Sequence, residues 1–121
     1  MPAPLAFALS LPEAWEDHPW GDTVAKVRKK IFVFVGSERI SVKLDESHAH
    51  ALSIDGSEPT GYALGKAGWV TVPIAGVADD VLHDWIEESY RIVAPKRLAA
   101  LLDEGSGEEA AQLGRSGRDD A

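Results

Sequence analysis

The chain has 121 residues, of which 45% are apolar, with four tryptophans, no cysteine and a formal net charge of −8. That length and apolar content suit one domain with its own core. The absence of cysteine excludes disulfides, thiolate metal sites and cysteine nucleophiles, and suits a reducing cytoplasm, the expected location. A negative balance disfavours nucleic acid in general, but half of it lies at one end. From Asp103 onward six acids face two arginines, whereas the preceding body holds fourteen acids against ten bases.

The stretch PLAFALSLP, with Leu5, Phe7, Ala8, Leu9 and Leu11, is predicted to be a short helix ended by Pro12. It is too short to span a membrane and lacks the basic start of a signal peptide. EAWEDHPWGD reads as a short extended segment running into a turn over Pro19–Asp22. Thr23 to Val27 is predicted as a strand, Arg28, Lys29 and Lys30 as a charged tip, and Ile31 to Val35 as a central strand. Gly36 and Ser37 turn the chain into RISVKL, where Ile40, Val42 and Leu44 alternate with Ser41 and Lys43. Asp45 is the expected N-cap of a helix over Glu46–Ile54.

GYALGKAGWVTVPI superficially resembles a phosphate-binding loop. A P-loop needs four residues between its glycines, a hydroxyl after its lysine and a following helix. Here Gly61 and Gly65 enclose three residues, and Ala67 follows Lys66. WVTVPI is β-branched and reads as a strand. The segment is therefore expected to be a hairpin, with Tyr62 and Leu64 on one strand, Gly65–Gly68 as its loop and Trp69–Ile74 on the other.

Leu82, Trp85, Ile86, Ser89 and Val93 then repeat at helical spacing, with Asp79 and Asp80 at the favourable end of the helix dipole. Pro95 either kinks this helix or opens a new one, PKRLAALLDE, which Gly105 is expected to end. The expected fold is α+β, an antiparallel sheet with helices packed on one face. The domain should occupy residues 1–104, followed by an acidic, disordered tail over 105–121. Its core should combine Ile31, Val33, Ile40, Val42, Leu44, Val70 and Val72 with Leu82, Trp85, Ile86 and Val93.

EDHPWGD, KKIFVFVG, ISVKL, GYALGKAGWVTVPI and LHDWIEESYRIVAPKRL stand in the order and spacing of the MmcQ/YjbR family. The chain resembles that family from about Leu5 to Leu102. The resemblance implies a CyaY-like fold and DNA binding through a double wing of two β-hairpins. It implies no enzymatic activity and no cofactor, and the protein is expected to be a monomer.

Arg28, Lys29 and Lys30 occupy one expected hairpin tip and Lys66 the other. In a meander both tips fall on one edge of the sheet. Four cations there can contact phosphates weakly and without sequence preference, and Trp69 can add a stacking face. Solvated turns that need no ligand are the competing explanation. A second function class is an interaction module that takes a protein or small ligand on the open sheet face. Frataxin-like metal binding is a third, because Asp80, Asp84, Glu87 and Glu88 lie along one helix with His83 beside them. A solvated helix face explains those acids as well, as it does Glu13, Glu16 and Asp17. His48 and His50 stand two apart in an expected helix, on different faces, so no zinc site is expected. Trp15, Trp20 and Trp85 are expected to pack in the core or against turns, and Tyr90 to be half-buried with its hydroxyl bonded.

Overall fold

The computed structural model describes residues 3–61 and 64–111. Among these residues four helices are formed, α1 (Ala3–Leu9), α2 (His48–Leu52), α3 (Asp79–Val93) and α4 (Lys96–Ala111). Six strands accompany them: β1 (Ala14–Asp17), β2 (Thr23–Val27), β3 (Lys30–Val35), β4 (Arg39–Lys43), β5 (Glu58–Pro59) and β6 (Trp69–Pro73). They make one sheet in the order β1-β2-β3-β4-β6-β5, and every neighbouring pair is antiparallel. This is the expected α+β class.

Alternation decides which side of the sheet is covered. Val33, Val42 and Val70 stand opposite one another on successive strands and point to the helices. Leu5, Ala51, Leu82 and Leu98 bring all four helices onto this same core. Phe34, Ser41 and Thr71 form the next row, on the opposite face.

Two residues of the expected core, Ile31 and Val93, are not fully buried. Ile31 is only half-buried, while Phe32 is completely buried. The pairing of β2 with β3 jumps from Ala25↔Val33 to Lys26↔Ile31, so Phe32 is the extra residue of a β-bulge. The bulge breaks strict alternation and turns Phe32 inward, edge-on to the Tyr90 ring at 5.2 Å. Val93 is likewise half-buried, and Tyr90, expected to be half-buried, is completely buried. The Tyr90 hydroxyl donates to the Pro12 carbonyl at 2.7 Å. Burial, with a smaller push from Glu13, raises the Tyr90 phenol above its ordinary value.

The bulge has a further cost that Ser89 meets. The β3–β4 ladder stops at Val33↔Val42, one residue short of Lys43. The Ser89 hydroxyl on α3 accepts from the Lys43 backbone N–H at 2.8 Å and donates to the Phe32 carbonyl at 2.5 Å. Two backbone groups that the ladder leaves unpaired are thus satisfied by one fully buried side chain.

The turn after β4 also differs. α2 begins at His48, not Glu46, and neither Asp45 nor Ser47 caps it through its side chain. The acceptor comes from α3: Glu88 Oε2 receives the Asp45 N–H at 2.7 Å and the Ser47 N–H at 3.1 Å. Burial alone would raise the Glu88 carboxyl, but these donors outweigh it and hold it below the ordinary glutamate value.

The hairpin of β5 and β6 is wider than expected. Glu58 pairs with Thr71 and Pro59 with Val70, so the first strand lies upstream of Leu64, which sits in a 3-10 turn over Leu64–Ala67. Tyr62 lies outside the described residues. The turn ends at Gly68, with φ +99°, where an added Cβ would meet the Leu44 carbonyl at 3.0 Å. At Pro95 the second of the two expected alternatives holds, whereas the expected helix end at Gly105 does not. Ala94 leaves α3 in an extended conformation and Pro95 opens α4 as a separate helix, because a residue before proline avoids the helical region. α4 then passes Gly105 and runs to Ala111, while residues 112–121 lie outside those described.

Candidate nucleic-acid interface

The two expected tips do lie at one end of the sheet. The β2–β3 turn ends in the pair Val27↔Lys30, leaving Arg28 and Lys29 as the turn itself. On the other side Lys43 pairs with Trp69, and the Leu44 N–H donates to the Gly68 carbonyl at 2.9 Å. The start of β6 and the tip of β2–β3 therefore share an edge. Two strand spacings separate β6 from β3 and three separate it from β2, roughly 10–14 Å.

The edge between them is not continuously basic. β4 lies between β3 and β6, and its end carries the exposed acids Asp45 and Glu46. Lys66 is exposed in the second tip, on the far side of these acids. Trp69 does not offer a stacking face. It is 7% exposed and packs edge-on against Phe34 at 5.5 Å. It belongs to the packing of the open face because β6 alternation places it beside Thr71 rather than at the tip.

The first tip is rigidly held. Arg28 has φ 59°, at a turn position that glycine usually fills. The Trp15 indole donates to the Arg28 carbonyl at 2.9 Å. Glu13, itself at φ 58°, pairs with the Arg28 guanidinium at 3.2 Å. Two left-handed residues joined by an ion pair, with an indole clamp, fix the orientation of the turn despite the strain. Lys26 is likewise tied to Asp17 at 2.8 Å and lies over the Trp15 ring. Among the described residues Lys29 and Lys30 take part in none of the ion pairs.

Two cations that the sequence reading passed over complete this corner. A groove of about 700 Å³ lies between the tip and the α3–α4 junction, lined by Arg28, Lys29 and Lys30 on one side and Val93, Ala94 and Pro95 on the other. Lys96 and Arg97 follow Pro95 directly and are exposed. They occupy the first turn of α4, which contains no acid. Cations there oppose the positive end of the helix dipole. That mismatch was visible in PKRL, but nothing local connects it with a tip more than sixty residues earlier.

Two of the acids considered for metal binding, Glu87 and Glu88, are engaged elsewhere. Glu88 holds the β4–α2 turn, and Glu87 and Asp103 both pair with Arg91, each at 3.0 Å. The His83 ring stacks on Phe7 at 4.2 Å and the His50 ring packs edge-on to Trp85 at 5.5 Å. Among the described residues no three His, Asp or Glu side chains converge as metal ligands. No helix among them is long and apolar enough to cross a membrane.

The YjbR family model matches residues 9–92, which run from the end of α1 nearly to the end of α3. The chain belongs to the YjbR family. A crystal structure of a protein from Pseudomonas syringae, solved by the Northeast Structural Genomics Consortium, is similar in fold, with a TM-score of 0.59 at 19% identity. The similarity covers 73% of this chain and 93% of that one. No curated protein matches the chain.

Proposed function

We propose that this YjbR protein is a small binding protein that contacts the phosphate backbone of DNA, weakly and without sequence preference. The contact surface is the basic corner formed by Arg28, Lys29, Lys30, Lys96 and Arg97. The role is binding, with no catalytic step. The observation that carries this reading is a groove lined by three cations, Arg28, Lys29 and Lys30, whose other wall ends at Pro95, directly before the exposed Lys96 and Arg97; among the described residues Glu13 is the one ion-pair partner of these five. Lys96 and Arg97 also face an unfavourable helix dipole, a conflict that a phosphate at the groove would relieve. The corner supports a single contact patch better than two wings, because Asp45 and Glu46 stand between the tips.

The test is fluorescence anisotropy of a labelled duplex over a salt series. Lys29, Lys30, Lys96 and Arg97 predict a log–log slope of about −3 to −4, near −0.9 per phosphate contact. Lys96→Ala with Arg97→Ala should remove roughly half of that slope and weaken all duplexes alike. Lys66→Ala should leave the slope unchanged; a loss of about one unit would bring the second tip into the interface. Absence of binding at low salt, or a slope that survives alanine at all four positions, overturns the reading.

A further inference from the structure

The open face of the sheet carries a built pocket, separate from the basic corner. It has a volume of about 340 Å³ and includes Phe34, Ser41, Leu64, Thr60, Asp22 and Arg39 in its lining. That is the lower end of the range for small-molecule sites. Phe34 forms an aromatic wall, braced from behind by Trp69. The opposite wall is made by Thr60, Gly61 and Leu64, where the Gly65 N–H donates to the Thr60 carbonyl at 2.9 Å. A Cβ on Gly65 would stand 2.9 Å from both the Pro59 Cβ and the Thr60 carbonyl oxygen, so this turn needs glycine. The glycine of the phosphate-loop-like motif thus serves a close backbone approach.

The polar groups of the pocket are unequally matched. Thr60, Thr71 and Ser41 form a hydroxyl chain, with contacts of 3.0 Å and 2.8 Å. Three hydroxyl protons serve two contacts, so one O–H of the chain remains to donate elsewhere, and the two end residues, Thr60 and Ser41, line the pocket. The Arg39 guanidinium is already paired with Glu58 at 3.1 Å. Asp22 has no ion-pair partner among the described residues. Its backbone is fixed by its N–H, which donates to the Pro19 carbonyl at 2.9 Å. Beside it Trp20 is 90% exposed and held at φ 52°. A large indole presented to water in a strained backbone conformation calls for a partner.

These features select the charge of an occupant. An anion would meet Asp22 and find Arg39 engaged. A neutral molecule would cover the Asp22 carboxylate without compensating it. An aromatic wall, a nearby exposed indole and an unpaired carboxylate together suit an organic cation. We propose that this pocket binds a small aromatic or heteroaromatic amine, its ring against Phe34 and its ammonium group toward Asp22. Trp20 stands two residues before Asp22 in the chain and is 90% exposed, free to contact a ligand held at Asp22.

A titration of the full chain, followed by two-dimensional amide NMR, separates the alternatives with three probes of nearly equal shape: 2-phenylethylamine, phenylacetate and 2-phenylethanol. The amine should give saturable shifts at Thr23, Phe34, Ser41 and Thr60, with affinity about tenfold above either other probe. Asp22→Asn should abolish that preference while preserving the folded spectrum, and Trp20→Ala should weaken the amine. Equal or tighter binding of phenylacetate, amine binding unaffected by Asp22→Asn, or no saturable shift at these residues overturns the proposal. Lys29→Ala with Lys30→Ala should not affect amine binding, so this test stands or falls apart from that of DNA.

Discussion

Replacing Ser89 by alanine tests the account of the sheet most directly. The substitution removes one oxygen from a fully buried site and leaves the Lys43 N–H and the Phe32 carbonyl without their partner. Each unsatisfied buried group costs about 1–3 kcal/mol, so Ser89→Ala should lose roughly 2–6 kcal/mol in total. A domain of this size shifts its Tm by about 4–8 °C per kcal/mol, which makes the loss a fall of about 8 °C or more. Urea unfolding gives the free energy, and amide hydrogen exchange gives the location. The Lys43 amide should lose protection beyond the global loss, whereas Val42 and Leu44, bonded within the strand ladder or to Gly68, should follow the global value. A midpoint within about 0.5 kcal/mol of wild type would refute the argument that Ser89 completes the bulged ladder.

Leu82→Ala, at a site 1% exposed, should cost roughly 2–5 kcal/mol, measured by the denaturant midpoint. Glu88→Gln should cost about 1–2 kcal/mol at neutral pH, because a charged acceptor of two backbone N–H groups becomes neutral. Since the Glu88 carboxyl is held below its ordinary value of 4.5, its contribution is present above that pH and is lost as pH falls through the folded value. The gap between wild type and Glu88→Gln should therefore narrow on acidification, and a gap independent of pH would refute the capping role. Gly65→Ala should destabilise by about 1–3 kcal/mol, because its Cβ has nowhere to go between Pro59 and Thr60. Truncation after residue 104 should leave the midpoint within about 0.5 kcal/mol, since Leu98 and Leu102 already join α4 to the core.

Most of the elements were legible in the sequence because their signals are local. Alternation in RISVKL placed Ile40, Val42 and Leu44 in the core, and helical spacing placed Leu82, Trp85 and Ile86 there. The β2–β3 hairpin, the α3 helix and the common edge of the two tips follow from the same patterns and from the antiparallel order. The motifs that carry the YjbR resemblance are contiguous segments and were readable for the same reason.

What the sequence left undecided depends on residues far apart in the chain. The bulge at Phe32 is decided by packing against Tyr90, and its backbone is satisfied by Ser89, 57 residues away. The α2 turn is capped from 41 and 43 residues away, so a local capping rule that named Asp45 picked the wrong carboxylate. Lys96 and Arg97 come near the basic tip only because the α3–α4 junction, at Val93, Ala94 and Pro95, shares a groove with Arg28, Lys29 and Lys30. Trp69 and Trp20 exchanged their expected environments for a similar reason. Residue type measures the gain from burial, but only the folded chain decides which indole finds a surface to cover: Trp69 meets Phe34, while the strained Pro19–Gly21 turn holds Trp20 out in water.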